Sequence, residues 1–481
     1  MSVVQVRETG QIKEIKKSIA SVVGLSGYMN GQLLDIADHT KALVMGFDSQ
    51  SVSVLFLDRG EDVKVGDPVY NKAEELTIPV GDGFTGRVVN AMAVPVDGKG
   101  PIVGDIQHYP IFRDAPGVLE RVPLCDVFET GNLIIDAAIP VGKGQRQLIV
   151  GDKMLGKTSL CVDAIINQKE KDIVCVYCCI GRSRAALEKV VTTLKENAAM
   201  GHTIIVSATA DSAPGEQYLA PYTACTLGEY FMRNGKDVFV VFDDLTRHAW
   251  AYRQISLLLE RSPGRDAYPG DIFYLHSQLM ERAGKFSPEF KGGSMTFFPV
   301  VDAIAGDITG YIPSNLVSMT DGQIYLNAAL FSSGFKPAVD LKLSVSRIGN
   351  KIQSPAMREL SAMLRLEYIQ YLDLLMVTRF KTGISQEVVQ RLERGDVMSR
   401  LFIQDKARPR PLEEELLFLY ALRRKILDVV STPKIEFFKN NILRFARDQY
   451  PAMVDALIRQ RKLMPEITKN LDECLVAFFK E

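Results

Sequence analysis

Gly151-Asp152-Lys153-Met154-Leu155-Gly156-Lys157-Thr158 satisfies the spacing G-x-x-x-x-G-K-[ST], and its flanks supply the order that a phosphate-cradling loop requires. Upstream, Gln147-Leu148-Ile149-Val150 reads as a short buried strand; downstream, Ser159 to Gln168 sets Leu160, Cys161, Ala164 and Ile165 on one side of a helix. The two glycines let backbone N–H groups converge on phosphate oxygens at a helix N-terminus, where the peptide dipoles already favour negative charge. Lys157 is placed to neutralise the outer phosphates, and the Thr158 hydroxyl to ligate magnesium. The spacing therefore predicts a nucleotide site over Gly151 to Ser159.

A second segment belongs to the same chemistry. Val238-Phe239-Val240-Val241-Phe242 reads as a strand buried on both faces that ends in Asp243-Asp244, the form of a carboxylate-tipped strand beside such a loop. Asp243 is the residue expected to hold magnesium through water. Hydrolysis also needs a lone pair to orient and deprotonate the attacking water. The apolar run IVCVYCCI at 173–180 instead ends in Gly181-Arg182-Ser183-Arg184, and guanidiniums accept no proton. Asp244 and Glu188 are the nearest carboxylates in sequence, Glu188 on the solvent side of the next helix. The site reads as able to bind ATP and poorly equipped to cleave it.

Around these motifs the texture changes in three blocks. From about residue 18 to 72, short β-type runs alternate with turns at Asp58-Arg59-Gly60 and Gly66-Asp67-Pro68, which predicts a small all-β unit, barrel or sandwich. From 73 to 355, apolar strands (LIV before the loop, IVCVYCCI, TIIVSA at 203–208, DVFVVFDD at 237–244) alternate with helical stretches, which implies a mostly parallel sheet between helices. After Pro355 a stripe of Leu360, Leu364, Tyr368, Tyr371, Leu372 and Leu375 at helical spacing opens a helical C-terminal region, 356–481.

Composition excludes several classes. Across 481 residues, 57 Lys plus Arg nearly cancel 58 Asp plus Glu, so no basic field exists to hold nucleic acid. No apolar run reaches the length of a spanning helix, and the N-terminal MSVVQVRETGQIKEIKKSI has neither a secretory core nor the acid-poor composition of a transit peptide, so the protein is expected to be soluble where it is made. Seven cysteines sit mostly in apolar runs, as reduced thiols do; Cys175-x-x-Cys178 has no second pair at zinc spacing. Trp250 and the five histidines show no ligand or catalytic spacing and read as structural.

Long segments carry a resemblance: VGDGFTGRVVNAMAVPVDGKGPI at 80–102, GDKMLGKTSL at 151–160, VFDDLTRHAWAYRQISLLLERSPGRDAYPGDIFYLHSQLMERAGK at 241–285, GYIPSNLVSMTDGQIYL at 310–326 and LKLSVSRIGN at 341–350. In these the protein resembles the alpha subunits of rotary F-type ATP synthases over nearly its whole length. The resemblance implies a multidomain α/β fold: a β-barrel at 1–72, a P-loop, RecA-like domain at 73–355 with a mostly parallel sheet and helices on both faces, and a helical domain at 356–481. It implies an alpha3-beta3 hexamer alternating with a catalytic beta subunit around a central-stalk gamma subunit, with the membrane sector contacted only indirectly. Alpha subunits there bind ATP (or ADP) with Mg2+, on Thr158 and Asp243, and do not hydrolyse it. Arg347 of the S-V-S-R segment implies a cation reaching the neighbouring beta site, with Ser344 and Ser346 supporting its loop.

Four departures accompany the resemblance. Arg182 stands where the family has glutamine in alpha and the catalytic glutamate in beta. Met154 and Leu155 replace a Gln and a Thr of the usual G-D-R-Q-T-G-K-T. On the base side Gln404 matches a family glutamine, whereas Lys406 stands for a second and Lys336 for an arginine. The family's N-terminal amphipathic helix, which binds the peripheral-stalk delta subunit, has no counterpart, leaving that attachment open. Expected localisation is peripheral, on the cytoplasmic face of a bacterial plasma membrane or on a thylakoid. The competing readings are a self-sufficient ATPase, such as a catalytic rotary subunit, export motor or ring helicase, and a structural ring subunit of a motor not coupled to ion flow.

Overall fold

The computed structural model describes residues 8–37, 40–378 and 385–480; the first seven residues of the N-terminal segment lie outside them. The protein has a multidomain α/β fold with an N-terminal barrel, a central nucleotide-binding region and a helical C-terminal domain. Its residues divide into two compact units, Met1–Pro123 with Lys169–Asp302 and Ile308–Thr320, and Leu124–Gln168 with Ala303–Asp307 and Asp321–Glu481.

The first unit begins with a closed six-stranded barrel. Between barrel and sandwich, the pairing decides: the strand Glu8–Lys16 pairs with Ile19–Val23 on one side and with Pro68–Glu75 on the other, so no edge is left. Alternation puts Val22, Leu34, Ile36, Val54 and Phe56 inside, each essentially inaccessible. The same unit holds the parallel strands Ile173–Ile180, Thr203–Ala208, Asp237–Asp243 and Ser294–Asp302. Every residue of Ile173–Ile180 is buried, as expected of a parallel strand covered on both sides. The helix Pro214–Arg233 packs along all four of these strands.

The strand DVFVVFD thus ends at Asp243, and Asp244 becomes the N-cap of the helix Leu245–Leu258, its carboxylate accepting from the Arg247 N–H at 2.9 Å. Two of the five histidines support this helix from within. His248 and His276 are fully buried, with Nδ1 of one 3.3 Å from Nε2 of the other, and burial lowers their pKa values to about 4 and about 3. Both are neutral packing groups. The cysteines are all free; Cys125 is exposed and the other six are buried, and burial pushes the Cys179 thiol up to about 12.

The second unit carries the phosphate-loop strand Gln147–Gly151, parallel to Gly322–Leu326, whose start pairs antiparallel with Val345–Ser346. Beyond Ser354 all the regular structure among the described residues is helical, from Pro355–Ser361 to Pro465–Lys480. Ser354 caps the first of these helices, accepting from the Met357 N–H at 3.3 Å, and Pro355 fills N1, where no N–H is needed. No described helix is long and apolar enough to cross a membrane.

Candidate nucleotide site

The loop from Gly151 to Thr158 joins the strand Gln147–Gly151 to the helix Lys157–Ile166, as its spacing predicts. Both glycines are needed for distinct reasons. A Cβ on Gly151 would lie 2.6 Å from the Leu326 carbonyl oxygen, and Gly156 has φ +96°, which L side chains resist. Asp152 steadies the loop from one side, its Oδ1 accepting from the Gly306 N–H at 2.8 Å. Lys157 curls over the loop, Nζ donating to the carbonyls of Gly151 and Asp152 at 2.6 Å each. Thr158 and Ser159 stand in the first turn of the helix Lys157–Ile166, the end at which peptide dipoles favour an anion. Lys153 and Met154 are exposed, Met154 almost completely, while Leu155 turns inward.

Leu155, Gly156 and Ser159 line a cavity of about 380 Å³ together with Phe331, Pro337 and Gln404. Leu155, Phe331 and Pro337 give it apolar walls suited to the face of a base, and Lys336 stands 5.6 Å over the Phe331 ring. Gln404 supplies the polar wall. Its Nε2 donates to the Gly131 and Arg408 carbonyls at 2.7 and 2.9 Å, which fixes the amide orientation and leaves Oε1 buried without a hydrogen-bond partner. The loop that presents Gly131 is itself held by Asp136, whose carboxylate accepts from the N–H groups of Thr130 and Gly131; burial raises that carboxyl to about 6. Asp163, which the sequence pattern does not single out, accepts from the Ala407 N–H at 2.7 Å and is raised to about 6 by burial. Lys406 faces the same cavity.

At the strand end, Cys179 is in register with Asp243, so Arg182 emerges beside that carboxylate. Arg182 donates through Nε at 3.0 Å, and also through Nη2, to Asp243 Oδ1. Tyr177 Oη donates to Oδ2 at 2.7 Å. This arrangement does not fit the expected magnesium role of Asp243: both oxygens are engaged and a fixed cation already neutralises the charge. Asp244 does not supply the missing base. Burial, then the charges of Asp302 and Asp243, push it up to about 7, yet its carboxylate is wholly inaccessible and caps a helix. Glu188 is exposed on the helix Arg184–Glu196.

Arg347 follows the short strand Val345–Ser346 and is exposed; its N–H donates to the Asp321 carbonyl at 2.8 Å. Asp321 is in turn clamped by Arg146, Nη2 to Oδ1 at 2.9 Å and Nε to Oδ2 at 3.1 Å. Ser344, read from the resemblance as supporting the Arg347 loop, points inward: Oγ donates to the Asp340 carbonyl at 2.6 Å and accepts from the Tyr325 N–H at 2.9 Å. It therefore positions the loop. Ser346 Oγ donates to the Pro140 carbonyl at 2.8 Å. Arg365, unread in the sequence, donates to the Leu341 and Ser344 carbonyls at 2.9 and 2.8 Å.

A closed barrel, a phosphate loop between strand and helix, and a helical C-terminal run define a P-loop nucleotide-binding subunit. Family models match in that order: the ATP synthase alpha/beta family beta-barrel domain at residues 5–72, its nucleotide-binding domain at 131–346 and the C-terminal domain of the ATP synthase alpha/beta polypeptides at 353–478. The protein belongs to the ATP synthase alpha/beta family, as an alpha-type member. It is 42% identical over 474 residues to ATP synthase subunit alpha of Clostridium botulinum strain Eklund 17B, covering 98% of this sequence and 94% of that one. It is 40% identical over 471 residues to the subunit alpha of the Langeland strain, covering 98% and 93%.

Proposed function

We propose that this protein holds ATP or ADP without breaking it and lends Arg347 to the phosphates of a neighbouring catalytic subunit. The observation that carries the first half is at the strand end, where a water-activating carboxylate would have to stand: the residue there is Arg182, committed to Asp243, and the adjoining Asp244 is sealed from solvent. The second half rests on an exposed arginine whose backbone is pinned from several sides. In the assembly so proposed, alpha alternates with beta around a central-stalk gamma subunit, the divisions at 72 and 355 separate barrel, nucleotide and helical domains, and the ring sits peripherally on the cytoplasmic face of a membrane. There it serves ATP synthesis or hydrolysis coupled to proton or sodium movement.

The test is the purified protein alone. It is expected to bind ATP with turnover far below the roughly 1 per second at which ordinary enzymes begin; a rate at or above that level sinks the non-catalytic reading.

Base preference provides a separate check on the cavity. Gln404 Oε1 offers only an acceptor, which suits the exocyclic amine of adenine and opposes the carbonyl that guanine presents at the same edge. An unpaired buried acceptor costs about 1–3 kcal/mol, so ATP should bind roughly 5- to 150-fold more tightly than GTP. Equal affinities in a competition titration would remove Gln404 from the base site.

A further inference from the structure

The cavity beside the phosphate loop is walled on one side by a turn over residues 404–408 and on another by the helix Lys157–Ile166, all within the second compact unit. Ala407 holds φ +57° in that turn, a left-handed conformation that a Cβ disfavours. Its N–H donates at 2.7 Å to Oδ1 of Asp163, a buried residue that stands one helical turn after Ser159 and lines the same cavity. Among the described residues, no other hydrogen bond ties 405–407 to another part of the protein. The ends of the segment are fastened separately: the Gln404 N–H donates to the Lys336 carbonyl and the Arg410 N–H to the Gly131 carbonyl, each at 2.8 Å. Arg408, next after Ala407, presents one of the two carbonyls that fix the Gln404 amide, 2.9 Å from Nε2. Where the turn sits therefore decides how that amide is oriented. Without the Arg408 carbonyl one of its two anchors is gone, and rotation that presents N–H groups in place of Oε1 is open to it.

We infer that Asp163 is a positioning residue for base recognition: through the Ala407 N–H it holds the turn that orients the Gln404 amide. The inference rests on the reading that the loop from Gly151 to Thr158 holds a nucleotide, and the experiment separates the two. The full-length protein is titrated calorimetrically with ATP, GTP and inorganic tripolyphosphate, each in excess Mg2+. In Asp163→Ala the roughly 5- to 150-fold preference for ATP over GTP should shrink to about twofold or less, while tripolyphosphate, which has no base, should bind within about twofold of wild type. Asp163→Asn keeps a carbonyl acceptor for the Ala407 N–H and should retain the preference. Ala407→Gly added to Asp163→Ala should restore part of it, because glycine takes the left-handed turn without a tether. An Asp163→Ala protein with the wild-type preference overturns the inference, and so does one that loses all three ligands in parallel. Hydrogen exchange at the Ala407 amide of the wild type needs no variant to fold: protection above the level of an unstructured peptide is expected, and its absence overturns the inference. A wild-type protein that binds neither ATP nor GTP overturns the nucleotide reading and the inference with it.

Discussion

Arg347→Ala is expected to lower ATP turnover of the assembled complex by roughly 1,000- to 100,000-fold, the worth of an arginine supplied across an interface to a transferring phosphoryl group. The same change is expected to leave assembly and nucleotide occupancy of this subunit intact, because the loop is held by groups other than the guanidinium. The Arg347 N–H is bonded to the Asp321 carbonyl, Val345–Ser346 pairs with Gly322–Gln323, and Arg365 and Ser344 fasten the preceding turn. Alanine removes the charge and keeps that scaffold. Arg347→Lys separates charge from shape: an ammonium restores part of the electrostatic stabilisation but lacks the planar two-pronged donor geometry, so intermediate turnover is expected. The measurements are steady-state hydrolysis by the reconstituted complex, its sedimentation, and its bound-nucleotide content. Turnover within a few-fold of wild type would remove Arg347 from the neighbour's reaction; loss of assembly would recast it as an interface residue.

The parts of this site that sequence displays are those where backbone geometry dictates residue type. Gly151 and Gly156 cannot be replaced without a clash or strain, so the loop announces itself, and uninterrupted apolar runs mark Ile173–Ile180 and Thr203–Ala208 to the residue. Closure of the barrel was not legible in the same way. Its first strand, ETGQIKEIK, is mostly polar, and it becomes a strand by pairing on both sides rather than by apolar alternation. Ser294–Asp302 escapes a reading by pattern too, since Pro299 argues against a central strand; its place in the parallel set is fixed by pairing with Asp237–Asp243. Side-group commitments were the least visible. Arg182 meets Asp243, sixty-one positions away, only because two strands align in parallel register, and the amide orientation of Gln404 depends on the distant Gly131 carbonyl. Arg347 carries no local signal; the family resemblance alone draws attention to it.

Arg282→Met should destabilise the first unit by about 3–5 kcal/mol, the usual consequence of leaving one member of a buried ion pair without its partner. Arg282 and Glu229 are each 1% exposed, joined Nε to Oε1 at 2.7 Å, and the guanidinium also donates to the Ile111 carbonyl at 3.0 Å and to Thr226 Oγ1 at 2.9 Å. Glu229 Oε2 has no hydrogen-bond partner, so Glu229 depends on the counter-charge. The double variant Arg282→Met with Glu229→Leu should recover most of the loss, because replacing both charges with apolar groups of similar volume is close to neutral; urea midpoints for the wild type, the two single variants and the double give the coupling directly. The consequence reaches the Arg182–Asp243 pair of the same unit through one helix. Glu229 and Thr226 lie on Pro214–Arg233, which packs along Ile173–Ile180 and Asp237–Asp243, the strands that lead to Arg182 and Asp243. Loosening that helix should therefore weaken the Arg182 pairing. If Arg282→Met unfolds at the wild-type midpoint, the pair does not hold this unit together, and the alignment of the two strands must be credited to their apolar packing alone.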